Sequence, residues 1–438
     1  MRDAALLKTV YAFGLRRNES RMLDLADLRR AQKAPQYRQY GGLLVRYGKA
    51  SRGSPPKRRT VLTVPEMDWI VDVLDHYVTE VRTGTWDVPA AGAARFNWEY
   101  DNGRARLLDL YQRGKDKQWD ATKRIDWDIP VDPCNVLEQS EELSPIYGSR
   151  QWEKLNQAER DELGMHLSSW LFSQFLHGEQ GALTVAARIV ESVPDMDSKF
   201  YAATQVMDEA RHVELYQRFI KDKIGIYYPI NDDLARLLAE ALADGRWDYP
   251  YLGMQVLIEG LALAAFGVHR DMSNNPLVTQ LLAYVMQDEA RHVAFGRLAL
   301  RDYYAELTRP ERAEREEFLI EGCYLMNSRF RAQEVWERLN FDVDECMDFT
   351  DKSPVQQAFR SLLFTRIVPC VRDIGLWGPK VRHAFADLGV LAAAESDLES
   401  LMKADEDLAE RIDEEKYQAE LAARQAEVDT AIAEATGG

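Results

Sequence analysis

Asp208-Glu209-Ala210-Arg211-His212 and Asp288-Glu289-Ala290-Arg291-His292 are the same pentapeptide, 80 residues apart (288 − 208). Each copy holds a Glu-x-x-His pair, Glu209 with His212 and Glu289 with His292. On a helix, positions i and i+3 share a face, so carboxylate and imidazole aim at one spot. Two such pairs on facing helices, joined by one Glu from each of two further helices, build a dinuclear metal site inside a four-helix bundle. The chain supplies both lone glutamates: Glu179 lies 30 residues before Glu209 (209 − 179), and Glu259 lies 30 before Glu289 (289 − 259). Both sit in apolar stretches, where an unpaired carboxylate is costly and a metal is the obvious partner. A single Glu-x-x-His often decorates a solvated helix face; four elements at matched spacing do not arise that way.

His212 and His292 are expected to bind metal as neutral imidazoles, with the glutamates giving terminal and bridging oxygens. This donor set suits iron or manganese better than the thiolate-loving metals. A metal-bound His usually donates its other N–H to a carboxylate. Asp288 is placed to serve His212, and Asp208 to serve His292, across the bundle, with Arg211 and Arg291 neutralising the aspartates. The plain alternative is that Asp208–Arg211 and Asp288–Arg291 are surface ion pairs at i,i+3.

The expected fold is all-α, a four-helix bundle core with additional N- and C-terminal helices and loops. Glycines, prolines and caps divide it into a basic lead-in (1–60), a mixed helix and loop region packing on the core (61–155), the bundle (156–308), additional helices (309–390) and an acidic C-terminal helix (391–438). In the mixed region a helix is expected over Pro65–Val81, and the Trp-rich stretch Lys117–Pro130 reads as an ordered surface loop. Asn156 with Glu159, and Thr308 with Glu311, carry the spacing of reciprocal N-terminal caps. Strand signals are scarce.

Of 438 residues 46% are hydrophobic, enough for a sizeable core. No run of eighteen apolar residues occurs, so no membrane association is expected. The N-terminal residues lack a signal-peptide pattern, and the four scattered cysteines, Cys134, Cys323, Cys346 and Cys370, fit reduced thiols in the cytoplasm. With no Cys-x-x-Cys, an iron–sulfur centre on this chain is not expected, and electrons for redox chemistry come from elsewhere. The net charge of −17 hides an asymmetry: residues 1–60 hold 15 Lys/Arg and 4 Asp/Glu, a net of +11, leaving −28 for the rest. The basic arm lacks a base-reading motif, so nucleic acid is not an expected partner; docking to another subunit or a plain solvated loop accounts for it.

The repeated Asp-Glu-Ala-Arg-His resembles the signature of ferritin-like carboxylate-bridged diiron oxygenases, and most closely the hydroxylase α-subunits of bacterial multicomponent monooxygenases. Gly296, four residues after the second motif His, fits that group. The resemblance covers roughly residues 160–300. It implies that Glu179, Glu209 and His212 hold one iron and that Glu259, Glu289 and His292 hold the other, as an Fe/Fe or Mn/Fe pair. Two positions depart from it. Leu263 stands where those hydroxylases commonly carry a Thr, and Tyr216 stands where ribonucleotide reductase small subunits carry their radical tyrosine. A related family of arylamine N-oxygenases adds a His ligand where this chain has Val285, which counts against that subgroup.

One helical turn from the lone glutamates, Phe175, Ala182, Leu183, Leu263 and Phe266 are expected to line an apolar cavity beside the metals, unless they are simply bundle core. The resemblance then implies an O2-activating monooxygenase acting on a largely apolar organic substrate, fed by an external reductase or ferredoxin, with homodimerisation left open. A radical-generating subunit with Tyr216 as the radical site, and a non-enzymatic metal-binding bundle, are the alternatives.

Overall fold

The computed structural model describes residues 8–15, 27–48, 57–76 and 103–415, with 418 and 422. It divides into two units, Met1–Pro89 and Ala90–Gly438. In the first, strands β1 (Leu28–Arg29), β2 (Gly42–Gly48) and β3 (Lys57–Leu62) pair antiparallel in the order β1-β2-β3. Side chains alternate across a strand, so Leu43 and Val45 share a face. They pack with Tyr40 and with Ile70 and Leu74 of α1 (Trp69–His76). This small sheet was not expected from the sequence, where short strands interrupted by basic residues leave little periodicity. Helix α1 follows a 3-10 turn at Pro65–Met67; residues 77–81 of the expected helix, and 49–56 of the basic arm, lie outside the described residues.

The second unit is helical. Its principal helices are α2 (Ala105–Asp116), α3 (Gln157–Ser192), α4 (Met196–Phe219), α5 (Asp232–Ala243), α6 (Asp248–Met272), α7 (Pro276–Tyr304) and α8 (Arg309–Ser328). Shorter ones follow: α9 (Gln333–Arg338), α10 (Val343–Lys352), α11 (Pro354–Leu363), α12 (Ile367–Asp373), α13 (Pro379–Asp387) and α14 (Leu398–Glu406). Helix α3 opens on the expected reciprocal cap: the Glu159 N–H donates to Asn156 Oδ1 at 3.2 Å, and the Asn156 N–H donates to Glu159 Oε2 at 2.9 Å. At 36 residues it is about 54 Å long. Thr308 and Glu311 cap α8 in the same way.

Helices α3, α4, α6 and α7 enclose one core, with Phe172, Val185, Leu215, Phe219, Leu257, Leu281 and Val293 buried together. Helix α6 is long and apolar enough to cross a membrane by composition alone, yet 83% of its apolar window is buried inside the bundle, so it reads as a core helix. It is not uniform: Leu252–Ile258 is π-helical, and regular α geometry resumes at Glu259. Such π segments often mark functional sites, since the extra residue in the turn re-aims a side chain.

Within the expected acidic C-terminal helix (391–438), the described residues form a 3-10 turn at Leu391–Glu395 and then α14. Helix α14 packs on α7, and Asp405 and Glu406 are buried. Arg366 bonds Asp405 at 2.9 Å, and Glu406 pairs with Arg113 and, at 3.7 Å, with Lys117. The acidic side chains face basic ones of the same chain.

Candidate metal centre

Glu179 comes from α3, Glu209 and His212 from α4, Glu259 from the first regular turn of α6, and Glu289 and His292 from α7. None of the six side chains is more than 5% exposed. Three carboxylates surround His212 Nδ1 at 3.3 Å each: Glu179 Oε2, Glu209 Oε2 and Glu289 Oε1. His292 Nδ1 lies 3.1 Å from Glu209 Oε1 and 3.5 Å from Glu289 Oε2. Two overlapping clusters result, Glu179–Glu209–His212–Glu289 and Glu209–Glu259–His292, each with ligand atoms within 4.8 Å of one another.

The resemblance implies Glu179, Glu209 and His212 about one iron and Glu259, Glu289 and His292 about the other, with some glutamate oxygens bridging; the structure brings all six together. Glu209 and Glu289 each approach both imidazoles and are the carboxylates that two metals would share. Glu179 and Glu259 lie at the two ends. A half-site is therefore not a self-contained Glu…Glu-x-x-His unit; each histidine shares its carboxylates with the opposite helix.

The cage fits a metal pair. Glu209 Oε2, Glu259 Oε2, both Glu289 oxygens and His292 Nδ1 are buried with no hydrogen-bond partner. Burial, with Glu289 close by, pushes the Glu179 and Glu259 carboxyls well above the usual carboxylate range. Burial also opposes charge on the imidazoles, yet Glu179 holds His212, and Glu209 holds His292, well above the usual histidine range. Protons accumulate where metal ions would supply positive charge.

The opposite ring nitrogens are fixed as expected. His212 Nε2 is 3.1 Å from Asp288 Oδ2, and His292 Nε2 is 3.3 Å from Asp208 Oδ2. Arg211 bridges the aspartates, 2.6 Å from Asp208 and 2.7 Å from Asp288, while Arg291 pairs with Asp288. The i,i+3 pairs thus exist, but they are buried beneath the cage, not on the surface.

Three participants were missed. Trp119 Nε1 donates to Asp288 Oδ2 at 2.8 Å, and Gln118 Nε2 to Asp208 Oδ1 at 2.7 Å. The stretch read as a surface loop closes the site instead. Gln205, fully buried one turn before Glu209, donates from Nε2 to Glu259 Oε1 at 2.7 Å and Glu209 Oε1 at 3.1 Å. Its i−4 spacing from Glu209, facing the same way, was the available signal.

A narrow cavity of about 30 Å³ adjoins Glu179, Glu259 and Glu289. Phe175, Ala182 and Phe266 line it as expected, with Ile258, Leu261, Ala262 and Ala265. Leu183 and Leu263 do not: Leu183 is half-buried elsewhere on α3, and Leu263 is buried in the bundle core. On α6 it is the residue three after Glu259, Ala262, that reaches the cavity, rather than the residue four after it. Tyr216 packs against Phe175 and Phe266, with centroids at 5.7 and 6.0 Å, and its hydroxyl has no partner.

A buried cage of four glutamates and two histidines on four bundled helices defines a ferritin-like diiron oxygenase. The family model described as p-aminobenzoate N-oxygenase AurF matches residues 101–375, and the chain belongs to that family. The match overturns the argument from Val285, which weighed one α7 position against the subgroup; that position is a buried valine here. Solved structures of two R2-like ligand-binding oxidase variants with reconstituted Mn/Fe cofactors are similar at 18% and 17% identity. They cover 65% and 64% of this chain and 97% and 99% of their own, with TM-scores of 0.40 and 0.41. Curated proteins give no match.

Proposed function

We propose that the chain is a cytoplasmic monooxygenase that activates dioxygen and oxidises the nitrogen of an arylamine. The observation that carries this is the cavity whose wall joins three cage glutamates to an otherwise largely apolar lining. The family description, p-aminobenzoate N-oxygenase, supports the choice of nitrogen as the oxidised atom. Glu179, Glu209 and His212 would hold one metal, and Glu259, Glu289 and His292 the other, with Glu209 and Glu289 shared. Bound there, an iron pair supplies reduction of dioxygen and oxygen-atom transfer. The residues do the rest. Asp208 and Asp288 hold the imidazoles with Nδ1 turned to the cage. Gln205 orients Glu259. Phe175 and Phe266 keep water from the reacting atoms, where quenching would otherwise compete. Electrons come from a separate reductase or ferredoxin. The test is to load the protein with iron, reduce it and expose it to isotopically labelled dioxygen with p-aminobenzoate. Labelled hydroxylamine, nitroso or nitro product is expected; unlabelled or absent product, with no oxygen-dependent absorbance change, rules the reading out.

A second reading rests on the position of Tyr216, four residues after His212 and packed against Phe175 and Phe266 of the cavity wall. On it the chain generates a tyrosyl radical for a partner.

A further inference from the structure

A second, far larger cavity adjoins the one beside the metals. Its volume is about 620 Å³, against about 30 Å³, and lies in the range of sites that hold small organic molecules. Phe330 lines both. His269 lines the larger one and packs between Phe175 of the metal cavity and Phe359 of its own, with centroids at 6.0 and 5.5 Å. The walls come from the chain just before α3, the first half of α3, the end of α6, and α11. The segment before α3 is firmly placed. Asn274, just past α6, donates to the carbonyls of Leu137 at 2.9 Å and Glu138 at 2.8 Å. Glu138 is held at φ +50°, a left-handed conformation, and its carboxylate accepts from Asn275 Nδ2 at 2.7 Å.

The lining carries hydrogen-bonding capacity that the protein itself does not use. Gln139 Oε1, Ser144 Oγ, Arg160 Nε and both ring nitrogens of His269 belong to residues of this one cavity, and among the described residues they are shielded and have no partner. Buried polar atoms are normally paired, because leaving them unpaired is costly. Burial holds His269 down at about 4, so near neutral pH its ring carries no charge and offers one donor and one acceptor. Trp152, Trp170, Phe330 and Phe359 give the cavity aromatic walls. Asp132, Glu141 and Asp161 line it against the single cation Arg160, a balance that repels an anion. On α11, Val355, Ala358 and Leu362 share one face, line the cavity and are exposed, which puts them at its mouth.

We propose that this cavity is a second ligand site, separate from the metal cage, for an uncharged aromatic molecule bearing a hydroxyl. Its rings pack on Trp152, Trp170 and Phe359. Its hydroxyl, which both donates and accepts, bonds to His269 once the imidazole turns towards the cavity. Gln139, Ser144 and Arg160 serve any further polar group the molecule carries. The assignment stands whether or not the protein oxidises an amine.

The test reads binding to metal-loaded protein by equilibrium dialysis. The probes are 2-naphthol, naphthalene and 2-naphthoate, whose two fused rings exceed the small cavity beside the metals. One 2-naphthol per chain is expected, bound about 5-fold or more tighter than either of the others. In H269F that advantage over naphthalene should fall below roughly 2-fold while naphthalene affinity holds. A358W, which fills the mouth from an exposed position, should weaken 2-naphthol and naphthalene alike by about 10-fold or more. No binding of 2-naphthol would overturn the proposal, since the cavity would then hold solvent only. So would 2-naphthoate binding as tightly as 2-naphthol, which would place the probe on the metals. An advantage that survives in H269F, or affinities that survive in A358W, would place the site elsewhere and overturn it too. If H269F does not fold by circular dichroism, A358W decides.

Discussion

His212 Nε2 lies 3.1 Å from Asp288 Oδ2, on the facing ligand helix, and Trp119 donates to that same oxygen at 2.8 Å. Asp288 also pairs with Arg211 and Arg291. One carboxylate therefore sets the His212 ring and ties two helices and a loop together. Asp288→Ala leaves the Trp119 indole N–H and the His212 Nε2–H buried without an acceptor, and takes one carboxylate from Arg211 and from Arg291. Metal affinity is expected to drop on the order of 10–100-fold, as it does when such partners of metal-bound histidines are removed. Metal analysis after dialysis against graded chelator measures it. Wild-type retention in Asp288→Ala would show that the ring orientation does not depend on this contact.

Glu209 and Glu259 predict different losses. Glu209 belongs to both clusters, and Glu259 to one. Glu209→Ala should lower metal content to well below two per chain by weakening both positions. Glu259→Ala should leave the cluster around His212 occupied, at about one metal per chain. Equal stoichiometry in the two variants would contradict the shared role of Glu209.

The ligands were legible in the sequence because their logic is local. A three-residue spacing on a helix sets a face, and the matched 30-residue offsets tie each lone glutamate to its pair. The exchange of aspartates between histidines was legible for the same reason, since Asp208 and Asp288 are fixed relative to their own helices. What stayed hidden depends on distant chain. Trp119 reaches Asp288 across 169 positions, and nothing in Lys117–Pro130 marks its direction. Bridging glutamates were expected, but that Glu209 and Glu289 are the shared ones depends on how closely α4 and α7 approach, which periodicity does not encode. The π segment before Glu259 leaves the apolar pattern intact, so it too was invisible.

Gly296 shows what that π segment requires. A Cβ there would lie 2.4 Å from Gln255 Cβ, in the π-helical stretch of α6. Gln255 in turn donates to Gln205 at 3.3 Å, and Gln205 holds Glu259. Gly296→Ala should push α6 from α7, destabilise the fold by about 1–3 kcal/mol as overpacking does, and weaken the Glu259 position. Thermal melting with and without metal reads both effects. Unchanged melting would mean that the helices separate freely here.

His269 should shape the acid limb of stability. Both ring nitrogens are shielded and without partners, between Phe175 and Phe359, and burial holds the ring at about 4. The unfolded chain titrates near 6.5, so below that pH it binds a proton that the folded chain refuses. The stability this group contributes is complete above about 6.5 and is lost as pH falls from there to about 4. His269→Phe removes the proton uptake. Denaturation midpoints of the variant, measured from pH 7 to 4, should fall less steeply than those of the wild type; parallel curves would show that the ring is accessible to protons.

Tyr216 separates the two functional readings. Burial, with Glu179 and Glu289 nearby, pushes its phenol well above the ordinary range, so the hydroxyl keeps its proton. A neutral phenol with no hydrogen-bond acceptor has nowhere to send that proton on oxidation, which disfavours a stable radical and suits a residue that only packs the cavity wall. Tyr216→Phe should therefore change oxidation of p-aminobenzoate by less than about 5-fold, the effect of removing one unpartnered hydroxyl. Electron paramagnetic resonance of the iron-loaded wild type, reduced and mixed with oxygen, should show no accumulating tyrosyl signal. A strong signal that disappears in Tyr216→Phe, together with loss of any product-forming activity, would move the assignment from oxygenase to radical generator.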